Sequence, residues 1–272
     1  MSIFLCPICA APLKRMATCY RCPGGHSYDI AREGYVHLLP ANRKHAKEPG
    51  DDKTMVAARA RFLDGGWYSH LRHTLEELAL AYAGEETVFL DAGCGEGYYT
   101  AAVSQALARE GRRKAAAGVD LSKQALRRAA RRAADVEFAV ASVYHMPVGE
   151  GQASLLLDCF APLALSEYRR VLRAGGIFLY VVPGPEHLME MKEILYDRPY
   201  ENPDQQVEYE GFRYLEVVPV SRPLHLQGEA ILDLFRMTPY VWKTPREGIA
   251  RLEGMRQLEV TAAFRIHVFC KR

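Results

Sequence analysis

Apolar positions along the chain change period repeatedly, and each change marks a new element. Residues 88–91 form a short buried run that passes through glycines into a helical pattern after Gly97. Further strand-like runs occupy 115–121, 136–142, 154–160 and 177–182, with a glycine-closed helix expected over 168–176. Two late strands, near 214–220 and 264–269, would flank a helix at 229–235. Upstream, residues 55–63 and 71–81 read as helices, and the polar stretch 42–53, carrying Pro49-Gly50, reads as a linker. Strands alternating with helices predict an α/β fold, a mostly parallel, doubly wound sheet with right-handed crossovers.

The first 40 residues do not share this rhythm. They are short and broken, and four of the seven cysteines fall within residues 6–22. Cys6-Pro-Ile-Cys9 and Cys22-Pro-Gly-Gly-His26 present two thiolates and then a thiolate with an imidazole, a donor set that suits tetrahedral zinc. Four protein ligands close such a site to water, so the metal is expected to be structural and to supply folding energy to a segment too short to fold by itself. Cys19-x-x-Cys22 is also a valid pair, which leaves an all-cysteine set open beside the one with His26. Tyr28 and Tyr35, in the run that ends at Pro40, would either pack the module against its neighbour or stack on unpaired bases. The expected organisation is a zinc module at 1–45, a linker and helices at 46–84, and a catalytic domain at 85–272.

Charge separates these parts. Residues 1–50 hold seven Lys/Arg against three acids, whereas the whole chain is only +2. A second basic cluster, with nine Lys/Arg against Glu110 and Asp120, runs from 109 to 132. Basic patches attract polyanions such as RNA, although many basic helix faces serve solubility alone. No apolar run reaches membrane-spanning length and the start lacks a signal-peptide pattern, so a cytoplasmic protein with no membrane partner is expected.

The chemistry is concentrated at Asp91-Ala-Gly93-Cys-Gly95-Glu96-Gly97. This G-x-G-x-G spacing differs from the dinucleotide G-x-G-x-x-G, and an acid precedes it at the strand tip. Such an acid suits a ligand with a sulfonium and an ammonium group, namely S-adenosylmethionine. Asp120 closes the second strand where a ribose-binding carboxylate belongs, although it could instead cap the following helix. Ser142, after the third strand, is placed to meet an adenine. The turn Phe160-Ala-Pro162 should face the ligand crevice, with Asp158 just before it as a weak candidate for proton acceptor.

The combination CPIC…CPGGH, AREGYVHLLP, FLDGGWY, LDAGCGEGYYT, PGPEHLMEMK and FRMTP resembles the bacterial 23S rRNA (guanine-N1)-methyltransferase family, RlmA, over nearly the whole chain. The resemblance implies a class I Rossmann-like fold that modifies a guanine in a domain II hairpin of large-subunit RNA. It also implies zinc ligands at Cys6, Cys9, Cys22 and His26, and cofactor-contacting positions at Tyr68, Gly95, Glu96 and His187. Spacing alone selects neither Tyr68 nor His187. The segment LLLDCFAPLALSEY departs from the more basic stretch that family members often carry there. A homodimer is one assembly open to such a chain. Two competing readings share parts of the pattern: a methyltransferase acting on a small metabolite, and a non-catalytic zinc-dependent RNA-binding protein.

Overall fold

The computed structural model describes residues 2–40, 52–204 and 207–272. The expected linker at 42–53 lies almost wholly outside them. Four short strands come first, β1 (Lys14–Arg15), β2 (Cys19–Arg21), β3 (Ser27–Asp29) and β4 (Val36–His37). Helices α1 (Lys53–Asp64) and α2 (Ser69–Tyr82) precede the alternating series. That series comprises β5 (Thr87–Ala92), α3 (Tyr98–Arg109), β6 (Arg113–Asp120), α4 (Lys123–Arg132), β7 (Glu137–Val140) and β8 (Ala153–Cys159). The chain then runs through α5 (Leu165–Val171), β9 (Leu172–Pro183), α6 (Met189–Leu195) and β10 (Phe212–Gln227). It ends with α7 (Glu229–Arg236), α8 (Arg246–Glu253) and β11 (Gln257–Lys271).

Eight strands form one sheet in the order β10-β11-β9-β8-β5-β6-β7-β4, while β1, β2 and β3 form a small antiparallel sheet of their own. Every neighbour pair from β4 to β9 is parallel, and β11 turns antiparallel against β9 and β10. The order reverses between β5 and β8, so the crevice beyond their C-terminal ends lies at a switch point, where open α/β sheets hold their ligands.

Period-two alternation assigns each strand residue to one of two cores. Phe89, Leu155, Leu157 and Leu179 join one cluster with Leu71, Leu75, Val103 and Leu126 from the helices. Leu90, Leu156 and Phe178 face the other, whose helical cover is Tyr168 and Val171 of α5. Phe4, Leu13, Tyr20, Val36 and Leu38 of the zinc segment complete that second core. The connection from β7 to β8 contains no helix, and the N-terminal segment packs on the same face of the sheet.

The N-terminal segment is therefore built into the main sheet. β4 adds to its edge, with Val36 paired to Ala139 and His37 to Val140. Glu137 at the start of β7 accepts hydrogen bonds from Ile3 N–H at 3.1 Å and Tyr20 O–H at 2.8 Å. Tyr35 is buried in the first core and the Tyr28 hydroxyl lies 3.0 Å from Cys6 Sγ, so both tyrosines pack.

Two expectations need correction. The helix expected over 168–176 starts earlier and stops at Val171, because Leu172 already pairs with Ala153 at the start of β9. The double glycine lies inside that strand, where Gly175 has φ +71° and the register shifts between Ala153 and Leu155. The two late strands are also much longer than expected and pair antiparallel, 212–227 with 257–271, with α7 and α8 between them in sequence.

Candidate functional site

The metal centre comes from two turns. The loop after Cys6 closes through Ala10 N–H to Cys6 O and Cys6 N–H to Ala11 O, both at 2.8 Å. The Cys22 loop closes through Cys22 N–H to His26 O at 3.0 Å, with Gly25 at φ +85°. These turns bring the donor atoms of Cys6, Cys9, Cys22 and His26 within 4.8 Å of one another. Cys9 Sγ lies 3.7 Å from Cys22 Sγ, and His26 Nδ1 lies 3.5 Å from Cys6 Sγ and 3.3 Å from Cys22 Sγ. Tetrahedral zinc with ordinary bond lengths would set these edges at about 3.8 Å for S···S and about 3.6 Å for S···N. The donors therefore fit zinc.

Cys19 stands outside the cluster on β2, opposite Asp29, so the set containing His26 is the one the fold assembles. Burial works against ionising Cys6. Hydrogen bonds from Tyr28 and from the N–H groups of Cys9 and Ile8 outweigh it and draw the thiol down to about 6, which favours the ligating thiolate.

The second site opens where β5 ends. Gly93 and Cys94 donate their N–H groups to Val119 O at 2.8 and 3.0 Å, which clamps the loop onto β6. Gly93, Gly95 and Gly97 have φ of +82°, +54° and +81°, a region that L side chains avoid. Asp120 does not cap α4: Ser122 does so itself, accepting from Ala125 N–H. Asp120 instead holds Gly95 N–H at 2.9 Å with Oδ2 and Ser122 N–H at 2.7 Å with Oδ1, so its carboxylate sits against the glycine loop. Ser142 is half-buried just beyond β7, and its Oγ accepts from Tyr144 N–H at 3.3 Å.

Asp91 is buried at the floor, with Oδ2 accepting from Thr100 Oγ1 at 2.6 Å and Oδ1 without a partner among the described residues. Burial raises its carboxyl to about 7; the Thr100 hydrogen bond opposes this, while the nearby Asp158 and Asp120 charges reinforce it. The buried hydroxyl of Tyr99 also lacks a partner among the described residues. A buried polar atom without a partner is costly, and a cation with hydrogen-bond donors beside Asp91 would remove the cost. These residues fit a ligand carrying a sulfonium and an ammonium group. Glu96, by contrast, turns its carboxylate onto Arg132 at 2.7 Å, which leaves its backbone at the loop.

Tyr68 and His187, which spacing could not select, meet over Phe264. The Tyr68 ring lies edge-on to Phe264 at 4.9 Å, and the His187 ring is 4.7 Å from Phe264. Burial, followed by the nearby charge of Lys192, holds the His187 imidazole down at about 3, so it is neutral. Its Nδ1 has no partner among the described residues. Burial raises the Tyr99 hydroxyl well above its usual value, and the nearby Cys159 and Tyr68 groups add to this.

Phe160 belongs to the same wall, 5.6 Å from Phe264, yet it remains 46% exposed and carries φ +62°. A non-glycine residue in that region is strained and persists only where its surroundings hold it. Asp158 does the holding: Oδ1 accepts from Ala161 N–H at 3.0 Å and Oδ2 from Tyr168 O–H at 2.7 Å, with the side chain fully buried. The turn is legible in the sequence but its strain is not, because φ at Phe160 is set by contacts from α5 and β8 rather than by its own residue type.

Parallel strands, a glycine loop at the switch point and an acid at the tip of each of β5 and β6 define a class I S-adenosylmethionine-dependent methyltransferase. A family model described as a methyltransferase domain matches residues 89–176, and one described as RlmA, N-terminal, a zinc ribbon, matches 4–47. A 23S rRNA (guanine(748)-N(1))-methyltransferase of Streptomyces fradiae is 35% identical over 96% of this chain and 95% of its own length. A Bacillus subtilis protein provisionally named for 23S rRNA guanine-N1 methylation is 30% identical over 96% of this chain and 94% of its own. The chain belongs to the 23S rRNA (guanine-N1)-methyltransferase family. Among solved structures, a provisionally named methyltransferase of Bacillus halodurans shares the fold, with TM-score 0.52 and 16% identity, covering 74% of this chain and 98% of that one.

Proposed function

We propose that the protein transfers a methyl group from S-adenosylmethionine to N1 of a guanine in a hairpin of 23S ribosomal RNA. One observation carries this reading: the zinc segment adds its last strand, β4, to the edge of the sheet that carries the crevice, over the full length at which the rRNA methyltransferase relatives match. Neither competing reading accounts for both parts. A small-molecule enzyme has no use for the zinc module, and a passive RNA binder has none for Asp91, Asp120 and the strained turn.

In this reading S-adenosylmethionine supplies an electrophilic methyl, and the chain's own residues bind and orient. Asp91 faces the cationic end, the backbone of 93–97 lies along the ligand, Asp120 takes the ribose hydroxyls and Ser142 meets the adenine. Tyr68 and His187 close the apolar wall, the neutral imidazole adding no charge beside a cation. Phe160 offers its exposed ring as a platform for the guanine, which must be turned out of its stack to present N1. Asp158 acts as a positioning residue for that platform. The N1 proton passes to solvent, since the Asp158 side chain is fully buried beneath the turn, bonded to Ala161 and Tyr168. Cys6, Cys9, Cys22 and His26 hold a structural zinc, and the module they fold reads the RNA.

The test is incubation of the purified chain with radiolabelled S-adenosylmethionine and unmodified 23S rRNA, followed by nuclease mapping and mass spectrometry. Label on one hairpin guanine, lost in Asp91→Ala, is expected. Cofactor binding with no label on RNA would sink the assignment.

A further inference from the structure

Helix α4 is built in a way that its own stability does not explain. Lys123, Arg127, Arg128, Arg131 and Arg132 occupy five of its ten positions, and it contains no acid. Lys123 and Arg127, Arg127 and Arg131, and Arg128 and Arg132 are each four residues apart, so like charges are stacked along the helix, a destabilising arrangement. A face kept basic for solubility interleaves both signs.

The side chains line a groove of about 510 Å³ between α4 and α1. Lys53, Arg127, Arg128, Arg131 and Arg132 line it, and Asp64 is the one acid among its described lining residues. Acids from elsewhere satisfy only part of the array. Arg132 is taken by Asp64 at 2.8 Å and Glu96 at 2.7 Å, and Arg131 reaches Glu33 of the zinc segment at 3.3 Å. Arg127 is exposed; its approach to Glu33 is a long 4.0 Å, and its other partner is the neutral Gln124 Oε1 at 3.4 Å. Lys53 and Arg128 are exposed and have no ion pair among the described residues.

Location gives this surplus charge a use. The Glu33 contact ties one end to the zinc segment, and the Arg132–Glu96 pair ties the groove to the glycine loop. We propose that the α1/α4 groove seats the sugar–phosphate backbone of the RNA substrate, holding the strand between the zinc module and the crevice. This rests on the rRNA reading above. Guanidinium groups on a rigid helix suit phosphate oxygens, and the contact would carry affinity without reading bases.

The test compares wild type, Arg127→Gln/Arg128→Gln, and a control, Arg109→Gln/Arg213→Gln, which removes the same charge from exposed positions outside the groove. Binding to an unmodified 23S rRNA fragment is measured across a salt series, and S-adenosylmethionine binding reports folding. Losing two phosphate contacts should weaken RNA binding roughly ten-fold at low salt and flatten the log–log salt slope by about 1.4, with cofactor binding unchanged. The control should keep the wild-type slope. An unchanged slope in the groove variant, or an equal loss in the control, overturns the proposal. Wild-type protein that binds RNA but never methylates it would count against the rRNA methylation reading, while the salt slopes still decide the groove.

Discussion

The Cβ that Gly93 lacks would lie 2.4 Å from the Cβ of Ala161. One residue belongs to the cofactor loop and the other to the turn presenting Phe160, so the two halves of the reaction site are in contact through a missing methyl group. The contact exists because β5 and β8 are neighbours in the sheet although Gly93 and Ala161 are 68 positions apart in sequence. Gly93→Ala therefore combines a collision with a left-handed backbone, and should destabilise the protein by about 2–4 kcal/mol. Urea denaturation checks this. Adding Ala161→Gly should return the collision part but not the backbone part, and an unchanged midpoint in the single variant would contradict the packing.

Cofactor binding should depend on pH through Asp91. Its folded value of about 7 exceeds the ordinary unfolded value of about 3.9. Such a group adds stability that is complete below the unfolded value and is lost as pH rises through about 7. A bound cation favours the ionised form, so affinity for S-adenosylmethionine should weaken as pH falls below 7, approaching ten-fold per pH unit. Calorimetry in buffers of different ionisation enthalpy should detect proton release at pH 6, absent in Asp91→Asn. A flat profile would place the carboxylate away from the cofactor's charge.

Phe160→Ala should leave cofactor affinity intact while reducing methyl transfer to RNA by about 5- to 150-fold, the worth of one base–aromatic stack. Phe160→Tyr should retain most of the activity. Single-turnover kinetics with labelled RNA separate these outcomes, and equal activity in wild type and Phe160→Ala would remove the platform from the mechanism.

Asp158 distinguishes positioning from proton transfer. A general base contributes about 10²- to 10⁴-fold. If Asp158 only holds the 160–162 turn, Asp158→Asn, which preserves an acceptor for Tyr168, should lose less than about ten-fold and keep the wild-type pH profile, while Asp158→Ala loses more. A hundred-fold loss in Asp158→Asn with an altered profile would restore it as the proton acceptor.

Removing zinc should be felt beyond the residues that bind it. Phe4, Tyr20, Val36 and Leu38 share a core with Leu90, Val119 and Phe178. Cys22→Ser should abolish zinc binding and lower the melting temperature of the whole chain by roughly 5–10 °C. Saturating cofactor should still bind, because the glycine loop lies on the other side of β6 from the β4 edge. Two separate calorimetric transitions, with the later one unmoved by the substitution, would show the module to be independent.

Features under local chemical control can be read directly along the chain. Glycines needing positive φ, an acid at each of two strand tips, and Cys-x-x-Cys turns act over a few residues, so the loop at 93–97, Asp91, Asp120 and the two halves of the zinc site were legible. Strand and helix periods were legible for the same reason. Tertiary structure decided what depends on contacts between distant segments. It took His26 over Cys19, because the reversal at Gly25 aims the imidazole at Cys6 while β2 carries Cys19 away. It moved the end of α5 to Val171, since sheet pairing at Leu172 outweighs helix preference. It made β4 an edge strand of the catalytic sheet, which two residues of local pattern cannot announce. Tyr68, His187, Phe160 and Phe264 become one wall only after four separate segments pack together. Burial and strain are properties of that packing, not of any residue in the sequence.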